Sequence, residues 1–254
     1  GIDTGGLPNA VRRRDASVVI DGCSVDPWQR ATLDQPATKA AVDEVILLCL
    51  SPRDNGVAPT DSDARAALVA EVGRLQTAGY QVSLGLAAQH DFGPDYSPAR
   101  LGAILADPAR RTALVTALNE ATQSANAIDL ALPQLDNRSA SDLNAFVSEL
   151  SALVRRGTRR LGVFAPPSSM SPSDLPGGDA YDLKALGGLV DRVRLMTLDY
   201  STDVPGPTTD PDWILQVAEL ARGKTSARLS VALPLYGVDF GVSGNRQISY
   251  TEAV

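Results

Sequence analysis

The chain has 254 residues, which is long for a domain of average size but ordinary for a single α/β barrel. With 44% hydrophobic and 21% charged residues it has the composition of a folded protein with a core, which excludes general disorder. Its net charge of −7 argues against a nucleic-acid surface, because affinity for phosphates depends on clustered Lys and Arg.

A single histidine, His90, is present, and this excludes most Ser-His-Asp, Cys-His and multi-histidine metal sites. No metal or organic cofactor is therefore expected, and any chemistry would fall to carboxylates. No apolar run approaches the length of a membrane span. The oligomeric state is left open by the sequence.

Seven runs rich in apolar and β-branched residues predict buried β-strands. In chain order they are Ser17–Cys23, Glu44–Ser51, Tyr80–Ala88, Ala127–Leu135, Arg160–Ala165, Arg192–Ser201 and Ala227–Gly237. Each run is mostly apolar on both alternating faces. This pattern is typical of a parallel sheet in which one face packs against helices and the side chains of the other face fill the interior of the barrel.

Helical patterns alternate with the predicted strands. Asp61 and Asp63 are candidate caps of one helix, and a continuous apolar stripe between Ser141 and Arg156 predicts a second. Asp210 followed by Pro211 indicates the start of a third. The alternation of strand and helix therefore continues through most of the chain.

The spacing of the strands favours a (β/α)8 barrel of the TIM type. Strand starts recur about every 35 residues, near the value of about 31 for a barrel of this length. An open doubly wound sheet is the alternative, but the segment from Asp21 to Asp26 is not a glycine-rich phosphate turn. We assign residues 1–16 to an N-terminal extension and 17–254 to one barrel domain.

Seven predicted strands are one fewer than a closed barrel needs. After Gly237 the sequence ends in residues that look like the beginning of a helix, so the eighth strand is expected to lie beyond the end of this chain. An irregular seven-stranded barrel is the other interpretation.

Three segments, taken in order, carry a family resemblance. Ala232-Leu233-Pro234-Leu235-Tyr236-Gly237 resembles the G-[LV]-P-x-Y-G motif of glycoside hydrolase family 18, and Leu195-Met196-Thr197-Leu198-Asp199-Tyr200 resembles its M-x-Y-D segment. Val82-Ser83-Leu84-Gly85 is similar to the S-x-G-G of its third strand. The resemblance implies a chitinase-like barrel with its site at the carboxyl ends of the strands.

The fourth strand departs from that family. The family pattern D-x-x-D-x-D-x-E aligns with Asn126, Asp129, Ala131 and Pro133, so only the second of its acids is present. In the family the glutamate protonates the leaving oxygen and the neighbouring Asp orients the substrate acetamide, while Leu198 stands where a tyrosine would steady it. Proline cannot donate a proton, so the catalytic parts of a chitinase are missing.

The resemblance therefore predicts a non-catalytic, chitinase-like protein that binds an N-acetylglucosamine-type glycan of chitin or peptidoglycan. It also implies an extracellular or cell-envelope location. One alternative is a structural or interaction domain of a larger protein with no sugar ligand. Another is an active hydrolase with relocated carboxylates, of which Asp129 and Asp199 are the candidates.

Six residues are candidates for ligand binding: Asp21, Trp28, Asp129, Asp199, Tyr200 and Tyr236. Carboxylates at strand ends could bind sugar hydroxyls, and aromatic rings could stack on a pyranose, with Phe240 as a further ring. The alternative for Asp129 and Asp199 is a purely structural ion pair, for example with Arg194.

Cys23 and Cys49 end or nearly end the first two predicted strands, and neither lies in a zinc-binding spacing. A disulfide between neighbouring strands is unusual geometry, so two free thiols are expected.

Overall fold

The computed structural model describes residues 15–87, 97–132, 135–167, 180–201, 204–241 and 244–249. Several expectations lie outside these ranges: most of the N-terminal extension, His90, Pro133 and the end of the chain. They stay predictions.

Within the described ranges the chain forms the strands β1 (Ser17–Asp21), β2 (Glu44–Arg53), β3 (Gly56–Ala58), β4 (Gln81–Ala87), β5 (Ala127–Ala131), β6 (Arg160–Ala165), β7 (Arg192–Leu195), β8 (Arg228–Val231), β9 (Gly237–Gly241) and β10 (Gly244–Ile248). Its helices are α1 (Pro27–Leu33), α2 (Pro36–Ala41), α3 (Ser62–Thr77), α4 (Pro98–Ala106), α5 (Pro108–Ala121), α6 (Ala140–Val154), α7 (Leu183–Gly187) and α8 (Pro211–Arg222).

Seven strands pair in parallel in the order β1-β2-β4-β5-β6-β7-β8. This sequential order is that of a barrel, whereas a doubly wound sheet reverses its order at a switch point. The predicted α/β barrel class is confirmed. In the described part of the chain β1 and β8 are not paired with each other, so the barrel is open on that side.

The helices begin where the sequence offers a cap. The side chains of Asp26, Asp61, Asp107, Asp182 and Asp210 each accept a hydrogen bond from a backbone N–H of the first turn that follows. Of the predicted caps, Asp61 and Asp210 are confirmed, while Asp63 lies inside the first turn of α3. These caps fix where each of the five helices begins.

Two apolar cores hold the sheet. The larger lies between the sheet and the helices and includes the buried stripe of α6, whose members include Leu143, Phe146 and Leu150. The smaller lies inside the curl of the sheet and consists of Ile46, Ala87, Ala131 and Phe164. Burial of these side chains supplies most of the driving force for folding.

The structure corrects several details of the predicted elements. The segment after the second predicted strand contains β3, which pairs antiparallel with the end of β2. Beyond the seventh predicted strand, β9 and β10 pair with each other in antiparallel orientation, which the sequence did not predict. The strands β5, β7 and β8 are shorter than predicted, because the apolar runs continue into loops at their carboxyl ends.

The interior of the sheet is also more polar than expected. The residue alternation that points Ile46 and Phe164 inward also points Glu44, Asp129 and Arg194 inward, nearer the amino ends of the strands. The interior is therefore apolar only in part, and the rest is filled by charged side chains that pair with one another.

Gly162 on β6 makes room for this charged filling. It lies beside Asp129 in the register of β5 and β6, and a Cβ atom at position 162 would lie 2.1 Å from Oδ1 of Asp129. Only a residue without a side chain allows the carboxylate to occupy that space.

No helix in the described ranges is long and apolar enough to cross a membrane.

We expect Gly162→Ala to lower the free energy of unfolding by about 3 kcal/mol, because the new methyl group displaces the buried Asp129 carboxylate from its partners. Chemical denaturation followed by circular dichroism measures the change. Gly73→Ala is the control: it lies in the middle of α3 with nothing within 4 Å of the added Cβ, and it should stabilise by about 0.5–1 kcal/mol. A Gly162→Ala protein as stable as the wild type would contradict this account.

Candidate functional site

Asp129 is the middle residue of β5, not a residue at the strand end as the sequence suggested, and it is fully buried. Its Oδ1 accepts a hydrogen bond from Nε of Arg194 at 2.8 Å, and its Oδ2 accepts from Arg194 at 3.1 Å and from the Ser83 hydroxyl at 2.7 Å. Both carboxylate oxygens are thus occupied by donors of the protein itself, and the ion pair with Arg194 that the sequence offered as an alternative role is present.

Arg194 extends this cluster across the inside of the sheet. Its guanidinium also donates to Glu44 Oε2 on β2 at 2.7 Å and to the Ser17 hydroxyl on β1 at 3.1 Å. Because β7 is four pairings away from β2 in the sheet, these bonds form only if the sheet curls. A single cation therefore joins three separate strands.

Glu44 is the second anion of the cluster. Burial raises the pKa of its carboxyl, but the charges of Arg194 and Arg192 and the hydrogen bonds from Ser17 and Arg194 outweigh burial, and its pKa is held below the usual range. The carboxylate form of Glu44 is thus the one that the folded protein stabilises.

The cluster continues to the amino ends of the strands. Arg192 donates to both carboxylate oxygens of Asp15 at 2.9 Å, and Arg228 forms an ion pair with the same residue. A cavity of about 180 Å³ opens there, between the first residues of β6, β7 and β8. The pairing of opposite charges at this end of the barrel stabilises the fold, since the functional sites of barrels form at the opposite end.

Asp199 and Tyr236 meet at that opposite end, beyond the carboxyl ends of β7 and β8. The Tyr236 hydroxyl donates to Asp199 Oδ1 at 2.5 Å. Burial, this hydrogen bond and the charge of Asp199 all raise the pKa of the Tyr236 phenol. Two of the predicted ligand residues, 37 positions apart in the chain, are therefore brought together.

The loop that carries Asp199 is closed by its own hydrogen bonds. The backbone N–H of Tyr200 donates to the Thr208 carbonyl at 3.0 Å, and the Thr209 hydroxyl donates to the Thr197 carbonyl at 2.9 Å. Asp199 itself has a φ of 58°, in the left-handed region that few residues other than glycine adopt. The hydrogen bonds of the loop therefore hold the Asp199 backbone in an uncommon conformation, which sets the direction of the Asp199 carboxylate.

The remaining predicted residues have different surroundings. Tyr200 packs against Trp213, with ring centroids 5.2 Å apart, so its ring supports the loop. Trp28 lies on α1 with 71% of its surface exposed, and Asp21, the last residue of β1, is also exposed. Among the described residues no group of three or more His, Cys, Asp or Glu could hold a metal ion.

Glu44, Ser17 and Arg192 also belong to the buried cluster, and no motif in the sequence identifies them. The available signal was the alternation of Arg192 and Arg194 with apolar residues in the predicted strand, which indicates two charges on one face. A charge repeated with a period of two in a buried strand requires a partner inside the sheet.

The fold and these two clusters define an open α/β barrel with a charged interior and an acid–phenol pair at its carboxyl face. No protein-family model matches the chain, and no curated protein matches it. Solved structures do match, and several of them are described as chitinases or as spore cortex-lytic enzymes.

The spore cortex-lytic enzyme SleL of Bacillus cereus is 14% identical, with a TM-score of 0.73; the match covers 94% of this chain and 56% of that one. A class V chitinase of Pseudomonas fluorescens Pf-5 is 18% identical, with a TM-score of 0.76 and coverage of 93% and 73%. A Group II chitinase catalytic domain of Ostrinia furnacalis, solved as a mutant in complex with penta-N-acetylchitooctaose, is 16% identical, with a TM-score of 0.67 and coverage of 89% and 65%.

At these identities the likeness is one of fold. The resemblance to chitinase-like barrels, predicted from three partial motifs, is confirmed at that level. The chain spans little more than half the length of the SleL chain that it matches.

We expect the free energy of unfolding to fall on acidification, and Glu44→Gln to flatten that fall. Because the folded-state pKa of Glu44 lies below its unfolded value, the stability that it contributes is present above the unfolded pKa and is lost as pH falls through the folded pKa. Urea denaturation between about pH 6 and about pH 3 measures the slope. Glu219→Gln, which removes an exposed glutamate of α8, is the control; equal slopes in all three proteins would refute the assignment.

We expect Asp199→Asn to lower the pKa of the Tyr236 phenol toward its ordinary value, because the substitution removes the negative charge that opposes formation of the phenolate. The ultraviolet absorbance of tyrosinate during an alkaline titration reports this ionisation, and Tyr236→Phe identifies which part of the curve belongs to Tyr236. An unchanged curve in Asp199→Asn would show that the two groups do not interact in solution.

Proposed function

We propose that this protein is a chitinase-like barrel that binds N-acetylglucosamine-containing glycans without hydrolysing them. The observation that carries the proposal is the state of Asp129, the one acid of the family motif that this sequence retains. Its carboxylate is buried and accepts hydrogen bonds from Arg194 and Ser83. A carboxylate that is buried and bonded in this way does not reach a sugar.

The other positions of the motif support the same conclusion. The sequence has Pro133 where the family has its proton donor, and Ala131 where it has the acid that orients the acetamide. Ala131 belongs to the small apolar cluster inside the sheet, beside Phe164. An apolar contact has replaced a polar one in this part of the barrel.

The carboxyl face supplies the groups for binding. The Tyr236–Asp199 pair offers a phenol oxygen and a carboxylate with a fixed separation, and Leu233 and Leu235 in the preceding segment are 60% and 82% exposed. Pyranose rings have polar edges and apolar faces, which suit such a combination. Trp28 and Asp21, both exposed, are further candidates.

The fold neighbours favour a glycan of this class. The Ostrinia furnacalis domain was solved with a chitin oligosaccharide, and the Bacillus cereus enzyme is described as spore cortex-lytic. We propose by analogy that the ligand is a chitin-type or peptidoglycan-type chain met outside the cell or at its envelope.

Isothermal titration of the protein with N-acetylglucosamine oligomers and with soluble peptidoglycan fragments tests binding. We expect saturable binding to one of them, and a loss of roughly tenfold or more in affinity for Asp199→Asn and Tyr236→Phe, because each removes a charged or hydroxyl partner. Asp34→Asn is the matched control, because it changes an exposed aspartate at the C-terminal end of α1. This variant should bind as the wild type does.

A reducing-sugar assay under the same conditions tests the absence of hydrolysis. No product above the buffer control is expected. Product that disappears in Asp199→Asn would instead identify an active enzyme with relocated carboxylates, and failure of every glycan to bind would favour an interaction domain.

A further inference from the structure

Cys23 and Cys49 are brought together where β1 ends beside β2. The two strands are in register up to Asp21 and Leu48, and the N–H of Gly22 still donates to the Leu48 carbonyl at 3.1 Å. One residue further on, the Cys23 thiol donates to the carbonyl oxygen of Cys49 at 3.2 Å. The chain thus places two free thiols on neighbouring backbones.

The two thiols are not equivalent. Cys23 is partly exposed, whereas Cys49 is 2% exposed. Hydrogen bonding with Cys49 lowers the pKa of the Cys23 thiol, although burial opposes this. Hydrogen bonding with Cys23, burial and the charge of Cys23 all raise the pKa of the Cys49 thiol. The thiolate therefore forms first on the cysteine that solvent reaches.

We propose that Cys23 and Cys49 form a thiol–disulfide exchange site for small disulfides such as oxidised glutathione. The Cys23 thiolate attacks one sulfur of the disulfide, the S–S bond breaks, and one thiolate leaves. Cys49 loses its proton to solvent and attacks the Cys23 sulfur, which releases the second thiolate. The protein loses two electrons and two protons, and the small disulfide becomes two thiols.

The geometry permits closure of the bond. Cys23 lies two residues beyond Asp21, the last residue of β1 in register with β2, and its Sγ lies 3.2 Å from the carbonyl oxygen of Cys49. Gly22 precedes Cys23 and has a φ of 133°, a backbone conformation that residues with a side chain rarely adopt. Closure therefore needs a local movement of the end of β1 and not of the strand pair.

Cys23 also lies between β1 and Asp26, the residue that caps α1. A bond to β2 would tie the start of that helix to the sheet. Redox state would then set how firmly the β1–α1 connection is held, independently of whether the protein binds a glycan.

Intact mass measurement of the folded protein after incubation with oxidised glutathione tests the proposal. We expect the wild type to lose the mass of two hydrogen atoms, because its two thiols are converted into one disulfide bond. Cys49→Ser should stop at one mixed disulfide with glutathione, and Cys23→Ser should stay unmodified, because its remaining thiol is buried. Circular dichroism shows whether each variant is folded, and gel filtration excludes disulfides between molecules.

Timed alkylation of the wild type with iodoacetamide, followed by peptide mapping, gives a test that needs no variant. Cys23 should react roughly tenfold faster than Cys49 or more. Faster alkylation of Cys49 than of Cys23 would overturn the proposal. So would a wild type that stops at the mixed disulfide with glutathione, or one that does not react with oxidised glutathione.

Discussion

The Arg194 guanidinium, held inside the sheet between Asp129 on β5 and Glu44 on β2, is the interaction on which the architecture depends. An arginine in this position would be costly without partners, because a buried charge that lacks an opposite charge and hydrogen bonds destabilises the fold by several kcal/mol. With both carboxylates and Ser17 in place the charge is satisfied, and the curl of the sheet that brings β2 opposite β7 is the geometry that satisfies it. The curl of the sheet and the pairing of these buried charges therefore depend on each other.

The sequence was sufficient for the parts of the structure that local patterns determine. Strand β6 was predicted with its observed bounds, and the caps Asp61 and Asp210 followed from residue type and the apolar stripes after them. The hairpin of β9 and β10 was missed because its sequence is rich in Gly and polar residues and has no apolar run. Long-range partners such as Glu44 and Arg194, 150 positions apart, leave no local signal that pairs them.

The candidate site also has a part that the sequence predicted and a part that only the structure shows. Asp199 and Tyr236 were singled out through motif resemblance, and the structure adds the hydrogen bond that joins them and the closed loop that holds Asp199. Asp129 was singled out by the same resemblance, but its surroundings are those of a structural residue. A motif identifies a position along the chain, whereas its chemistry depends on which side chains other strands bring to it.

The two ends of the barrel thus have separate tasks. Charged residues at the amino ends of the strands are neutralised by one another and stabilise the curl, which leaves the carboxyl ends free to differ in sequence without loss of the fold. The exposed leucines and the acid–phenol pair lie at that second end. A barrel can in this way change its chemistry while its scaffold stays intact.

The left-handed backbone at Asp199 restricts how that chemistry could diverge during evolution. Apart from glycine, asparagine and aspartate tolerate this conformation best, so one nucleotide change that converts the carboxylate to an amide would alter the charge while the loop keeps its path. Substitution by a branched residue would disturb charge and path at once. Homologues of this protein should therefore carry only a small set of residues at this position, whatever ligands they have come to recognise.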